Sequence, residues 1–343
     1  MDERGARKVS LRGWGGVAAM AVACALTVVF ALLLPLTQRD SGGDGSTGLG
    51  SGGVAAGTQA RADDCNPDVA GKEPERSLDP DGDDSGGAVQ KIKDRGVLLV
   101  GVDQNSYRWG YRDPNSKDKK KNELEGFDID LAREIAKEIL GSPEKIRFKA
   151  IPTNERIPAI KRGDVDMVVR TMTISCKRLE EVDFSTAYFQ TGQQVLAPKA
   201  SKISGYDDSL DGKHICAASS STAESALNGD TAKDKQPRNA KILIVPNQLD
   251  CLVRLQLGEV DAVVTDGALA ASQAAQDPTV DLKGEPFTKE YYGVAMQKGS
   301  KELVRRVNKI LEKYRSDGWQ KSYANWLEQT LGASSGPPAP KYK

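Results

Sequence analysis

The pattern Ile157-x-x-Ile160-x-x-Gly163-Asp164-Val165-Asp166-Met167-Val168-Val169 returns 95 residues later as Leu252-x-x-Leu255-x-x-Gly258-Glu259-Val260-Asp261-Ala262-Val263-Val264. Each copy reads as a short amphipathic helix, a glycine stop and a buried strand. The repeat fits two halves of one sheet or two similar α/β lobes; two lobes are expected here. From residue 89 to 331 strand-like apolar runs alternate with helical patterns, which argues for α/β units with mainly parallel sheets. Val97–Val102 is a short apolar run ending at Asp103. Leu131, Ile135 and Ile139 make one helical face over Asp130–Leu140, and Asp128 and Asp130 sit near its start, where the helix dipole favours carboxylates.

Composition narrows the chemistry. The 343 residues suggest about two domains at roughly 150 residues each. Equal counts of basic and acidic side chains, 48 of each, argue against a nucleic-acid binder, which would carry a basic excess. The single histidine, His214, excludes two-histidine metal sites and most histidine-centred catalysis. No cofactor or metal is implied.

The N-terminal part reads differently. Trp14 to Leu36 carry no charge, and at 1.5 Å per residue those 23 residues are long enough to cross a bilayer. The basic flank, with Arg4, Arg7, Lys8 and Arg12, favours residues 1–13 in the cytoplasm and the rest outside. A signal segment competes, because Ala21-Val22-Ala23-Cys24 resembles a lipoprotein cleavage box with Cys24 lipidated. Residues 37–90 are expected as a disordered linker, and 332–343, with Pro337, Pro338 and Pro340, as a disordered tail. The basic run Lys117–Lys121 reads as a solvated loop, with a partner or anionic headgroups as the alternative. Beyond the apolar segment lie Cys65, Cys176, Cys216 and Cys251. An even number outside the cytoplasm suggests two disulfides with three possible pairings, and four free thiols are the alternative.

In open α/β sheets ligands bind beyond the carboxyl ends of the strands. Here those ends carry Asp103, then Arg170, Thr171 and Thr173, then Thr265 and Asp266. The strand Ile215–Ala218 runs into Ser219-Ser220-Ser221-Thr222, where Ser221 and Glu224 fit a capping box whose free N–H groups suit an anion. Cations and N–H donors (Arg170, Arg178, the 219–222 loop) thus converge with carboxylates (Asp103, Asp266). An α-amino acid zwitterion matches both sets.

Over the folded part, about residues 92–331, the chain resembles the polar amino-acid family of solute-binding proteins, the receptors of ABC importers. The motifs are Gly126-Phe127-Asp128-Ile129-Asp130-Leu131-Ala132, Arg156-Ile157-Pro158-Ala159-Ile160, Val165-Asp166-Met167-Val168-Val169, Thr171-Met172-Thr173-Ile174-Ser175-x-x-Arg178, Val182-Asp183-Phe184-Ser185 and Val263-Val264-Thr265-Asp266. Arg170-Thr171-Met172-Thr173 and the cysteines at 216 and 251 resemble its actinobacterial glutamate-type branch. The resemblance implies a two-lobed Venus-flytrap clamp, with lobe 1 from residues 91–196 plus 286–331 and lobe 2 from 197–285. Hinge crossings would fall near Val195–Pro198 and Gly284–Phe287, and closure would be a hinge motion. Cys216 and Cys251 then share a lobe, so Cys216–Cys251 and Cys65–Cys176 are the expected pairs.

By the same resemblance Arg178 grips the ligand α-carboxylate through a bidentate fork, with help from the Thr173 N–H and hydroxyl. Ser221 and Thr222 add donors from the other lobe, and Asp266 with the Thr171 carbonyl accepts the α-ammonium. Asp103 and Asn105 lie near the ligand, with Tyr107 or Trp109 over its aliphatic chain. Arg170 and Arg156 are expected to face a second ligand carboxylate, since a buried charge needs a counter-charge, which favours glutamate or aspartate over glutamine or asparagine. The alternative for Arg170 is pairing with Asp103 or Asp266. The expected activity is binding without catalysis by a monomer, for delivery to an ABC permease. Signalling to a membrane sensor protein, and a lyase or hydrolase using Asp103, Asp266 or Glu155, are the alternatives.

Overall fold

The computed structural model describes residues 65–113, 123–229 and 237–343. The charge-free segment 14–36, Cys24, the linker as far as residue 64 and the run Lys117–Lys121 lie outside the described residues. No described helix is long and apolar enough to cross a membrane.

The chain opens with α1 (Gly87–Arg95), β1 (Leu98–Val102), the hairpin β2 (Asn105–Ser106) with β3 (Gly110–Tyr111), and α2 (Phe127–Leu140). Helix α2 begins at Gly126, whose φ of 129° and whose approach to the Trp109 carbonyl (2.5 Å from where a Cβ would sit) admit only glycine. Then come β4 (Ile146–Ala150), α3 (Arg156–Lys161), β5 (Met167–Val168), α4 (Cys176–Leu179) and β6 (Val182–Phe184). A linking strand β7 (Phe189–Thr191) leads to β8 (Gln193–Pro198), β9 (His214–Ala218), α5 (Thr222–Asn228) and β10 (Lys241–Val245). After these come α6 (Gln248–Gln256), β11 (Ala262–Asp266), α7 (Gly267–Gln276) and β12 (Val280–Lys283). The return runs through β13 (Glu290–Tyr292) and β14 (Ala295–Gln297) to α8 (Lys301–Trp326) and α9 (Glu328–Leu331).

The sequence repeat is a structural repeat. Its copies are α3 with β5 and α6 with β11, and Gly163 and Gly258 stop the helices in the left-handed region at φ 72° and 71°. Each copy sits at the middle of a five-stranded sheet, ordered β4-β1-β5-β14-β6 in one lobe and β10-β9-β11-β8-β12 in the other. In each sheet four strands run one way and one runs against them, β14 in the first and β8 in the second. The reversed strands have a common cause: each is the one by which the chain enters that lobe from the other.

The crossings differ from expectation. Residues 195–198 belong to β8, an interior strand of the second sheet, so they lie inside lobe 2. The lobes are joined instead by β7 and β13, an antiparallel pair with Thr191 opposite Glu290 and Phe189 opposite Tyr292. The segments expected as linker and tail also differ where they are described. Ser77 exchanges backbone hydrogen bonds with Lys341 and Lys343 (2.9 Å each), and its hydroxyl donates to the Phe184 carbonyl (2.8 Å). Lys341 pairs with Glu75 at 2.8 Å. Polar composition had pointed to disorder, but these polar groups are satisfied by each other and by lobe 1.

Both expected disulfides form, Cys65–Cys176 and Cys216–Cys251, each with Cα atoms 5.5 Å apart. Trp109 is fully buried in an aromatic cluster with Phe127, Phe189 and Tyr292. It is core packing under the hinge, and the expectation that it covers a ligand is corrected.

Candidate functional site

The carboxyl ends of β1, β5, β9 and β11 meet between the lobes, as strand polarity requires. The ends of β5, β9 and β11, with the loops that follow β4 and β10, border a pocket partly open to solvent. Thr153, Arg156, Thr171, Thr173 and Arg178 line it from lobe 1; Ser221, Thr222, Gln248, Thr265, Asp266 and Leu269 line it from lobe 2.

Arg178 is held by a one-turn helix. The Ser175 hydroxyl caps α4 by accepting from the Arg178 N–H at 3.3 Å. The guanidinium donates to the Thr173 carbonyl (2.7 Å) and, across the cleft, to the Ser220 carbonyl (2.9 Å). Arg156, the first residue of α3, donates to the Thr153 carbonyl (2.9 Å) and to the same Ser220 carbonyl (3.3 Å). Only 8% and 4% of these two residues is exposed, and neither makes an ion pair among the described residues. Burial pulls both guanidiniums down from the usual arginine range; for Arg156 the neighbouring charges of Arg178 and Arg170 add to the effect.

Asp266, at the end of β11, accepts from the Gln193 amide and the Tyr292 hydroxyl. Burial and then the charge of Glu290 push its carboxyl up to about 7. Thr171 is fixed from below. Its φ of 40° lies in the left-handed region, and its N–H donates to the buried Asp128 carboxylate at 2.9 Å. Its hydroxyl, buried in the wall, has no partner among the described residues. The Ser221 hydroxyl caps α5, accepting from the Glu224 N–H at 3.0 Å as expected, whereas the Glu224 carboxylate takes the Ser220 N–H at 2.6 Å, one residue earlier than a reciprocal box requires.

Four expected ligand contacts lie outside this wall. Arg170, fully buried, pairs with Asp103 at 2.8 Å and donates to the Thr153 hydroxyl (3.2 Å) and the Asn247 side chain (3.0 Å). Asp103 also accepts from the Gln104 and Asn105 N–H groups and the Ser106 hydroxyl. The counter-charge demanded by Arg170 is therefore a protein carboxylate, and both residues are corrected from ligand contacts to a structural pair beside the site. Asn105 and Tyr107 border a second pocket, which shares Gln248 and Leu269 with the first.

Glu290 was not anticipated. It accepts from the Thr173 hydroxyl (2.6 Å) and the Thr222 hydroxyl (2.9 Å). With their single protons spent there, both hydroxyls turn only lone pairs to the pocket, so they accept where donors had been expected. No periodic signal marks Glu290, because a three-residue linking strand carries none. Gln248 and Thr153, which hydrogen bond across the cleft at 2.9 Å, were equally silent.

Two lobes of matching topology, joined by a strand pair and closing on polar groups from four strand ends, define a ligand-binding clamp. The model of the bacterial extracellular solute-binding proteins, family 3, matches residues 98–329, and the chain belongs to that family. The ABC transporter glutamine-binding protein GlnH of Bacillus subtilis is 37% identical over 239 residues, 69% of this chain and 84% of the relative. The glutamate-binding protein GluB of Corynebacterium glutamicum is 28% identical over 266 residues, 74% of this chain and 85% of the relative. Among solved structures, an ancestral arginine-binding protein bound to glutamine is 36% identical with a TM-score of 0.59, covering 70% of this chain and 99% of that one.

Proposed function

We propose that the chain captures a dicarboxylic amino acid, glutamate or aspartate, outside the membrane and delivers it to an ABC importer. The observation that carries this reading is the pair of buried guanidiniums, Arg156 and Arg178, in one pocket wall without carboxylate partners among the described residues, while Asp266 stands in the same wall without a described cation. Buried charges are costly until they are paired. An α-carboxylate on Arg178, an α-ammonium on Asp266 and a side-chain carboxylate on Arg156 would pair all three. The Thr171 carbonyl and the lone pairs of Thr173 and Thr222 would share the ammonium.

A glutamine reading has its own support: the Arg170–Asp103 pair leaves one spare arginine instead of two, and the Bacillus relative is named for glutamine. Calorimetric titration of the full chain with glutamate, aspartate, glutamine and asparagine separates the two. Tighter binding of either acid over its amide by about tenfold is expected. Preference for the amides refutes the dicarboxylate assignment, and silence from all four refutes amino-acid capture.

A further inference from the structure

We propose that Glu290 is the latch that couples the hinge to closure of the clamp. It stands on β13, one of the two strands that join the lobes, opposite Thr191. Its Oε2 accepts at once from Thr173 of lobe 1, at 2.6 Å, and Thr222 of lobe 2, at 2.9 Å. Its other oxygen accepts from Thr288 at 3.3 Å, on the approach to the hinge strand.

The direction of these bonds is set by their surroundings. The Thr222 hydroxyl oxygen accepts from the Gln193 amide at 3.0 Å, which leaves its one proton for Glu290. Glu290 is 8% exposed and makes no ion pair among the described residues, so hydroxyl protons satisfy its charge. Such charge-assisted bonds are shorter and stronger than neutral ones. Rotation of lobe 2 away from lobe 1 removes the Thr222 donor while Thr173 and Thr288 stay with the carboxylate. The bridge is made wholly of protein groups, so it adds the same increment to closure whichever amino acid is held. Glu290 is thus a positioning residue: it acts through Thr173 and Thr222.

Hydrogen exchange of the full chain without added amino acid tests this directly. Glu290→Ala is expected to speed exchange in both 171–173 and 219–222, and Glu290→Gln, which keeps an acceptor oxygen, to restore most of the protection. In a Thr222→Val background Glu290→Ala should add nothing at 219–222. Stopped-flow binding of L-glutamate supplies a second readout: Glu290→Ala should raise the dissociation rate about tenfold, the loss of one charge-assisted hydrogen bond, and leave the association rate unchanged. Unchanged exchange at 219–222 in Glu290→Ala overturns the latch, as does a full additional effect in the Thr222→Val background. Wild-type protein that ignores L-glutamate would sink the dicarboxylate reading, and the exchange experiment would still decide the latch.

Discussion

Replacing Arg156 with methionine, which keeps the length of the stem, should lower affinity for glutamate more than for glutamine. Arg156 is desolvated, repelled by Arg178 and Arg170, and among the described residues bonded only to the carbonyls of Thr153 and Ser220. Its free donors therefore await an anion. A hydrogen bond to a charged partner is worth about 1.5–3 kcal/mol, or roughly 10- to 150-fold in Kd. A neutral amide oxygen in the carboxylate's place gives about half that energy, so glutamine should lose roughly 3- to 13-fold. The ratio of glutamate to glutamine affinity should then fall by roughly 3- to 12-fold. Removing a repelled cation relieves the unliganded protein, so its thermal midpoint should not drop. Calorimetry with both amino acids measures the ratio, and Arg178→Met serves as the control that weakens both alike. Equal losses for glutamate and glutamine in Arg156→Met would refute the side-chain role of Arg156.

Arg170→Met should be costly for a different reason: it strands the buried Asp103 carboxylate, at about 3–5 kcal/mol, and Asp103→Leu in the same chain should recover much of that in urea unfolding. Affinity for a zwitterion should depend on pH through Asp266. A ligand ammonium favours the ionised carboxylate, so binding releases a proton below about 7 and affinity falls up to tenfold per pH unit as pH drops from 7. Titrations at pH 6 in two buffers of different ionisation enthalpy detect that proton, and constant affinity from pH 5.5 to 8 contradicts the role of Asp266. Removing Cys65–Cys176, which spans 111 residues, should cost about 5 kcal/mol against about 4 for Cys216–Cys251, which spans 35, by loop-closure entropy. Because Cys176 opens the turn that carries Arg178, the Cys65→Ser/Cys176→Ser protein should also bind glutamate more weakly, while Cys216→Ser/Cys251→Ser should not, both by titration.

Much of this protein is local and was legible without coordinates. The repeat around Gly163 and Gly258, the capped turn at Ser221, and the buried strand ending at Asp266 rest on periodicity, backbone preference and short-range hydrogen bonds. All three are written in neighbouring residues. Thr171, Thr173, Arg178, Ser221, Thr222 and Asp266 follow from them, because strand polarity puts strand ends on one edge, whereas Arg156 was implied only by the family resemblance. Trp109, Asp103 and Arg170 went astray because their environment is set by contacts distant in sequence. The Arg170 guanidinium meets Asp103 from another strand and Asn247 from another lobe, and no spacing encodes that choice. Glu290 is the sharpest case. Its neighbours Thr173 and Thr222 lie 117 and 68 residues away, and only the return of the chain through the hinge brings the three together. The sequence alone thus determined two α/β lobes and most of the charged and hydroxyl groups that line the space between them. The tertiary structure decided which charges were already paired with each other and which remained for a ligand, because pairing energy depends on distance through space.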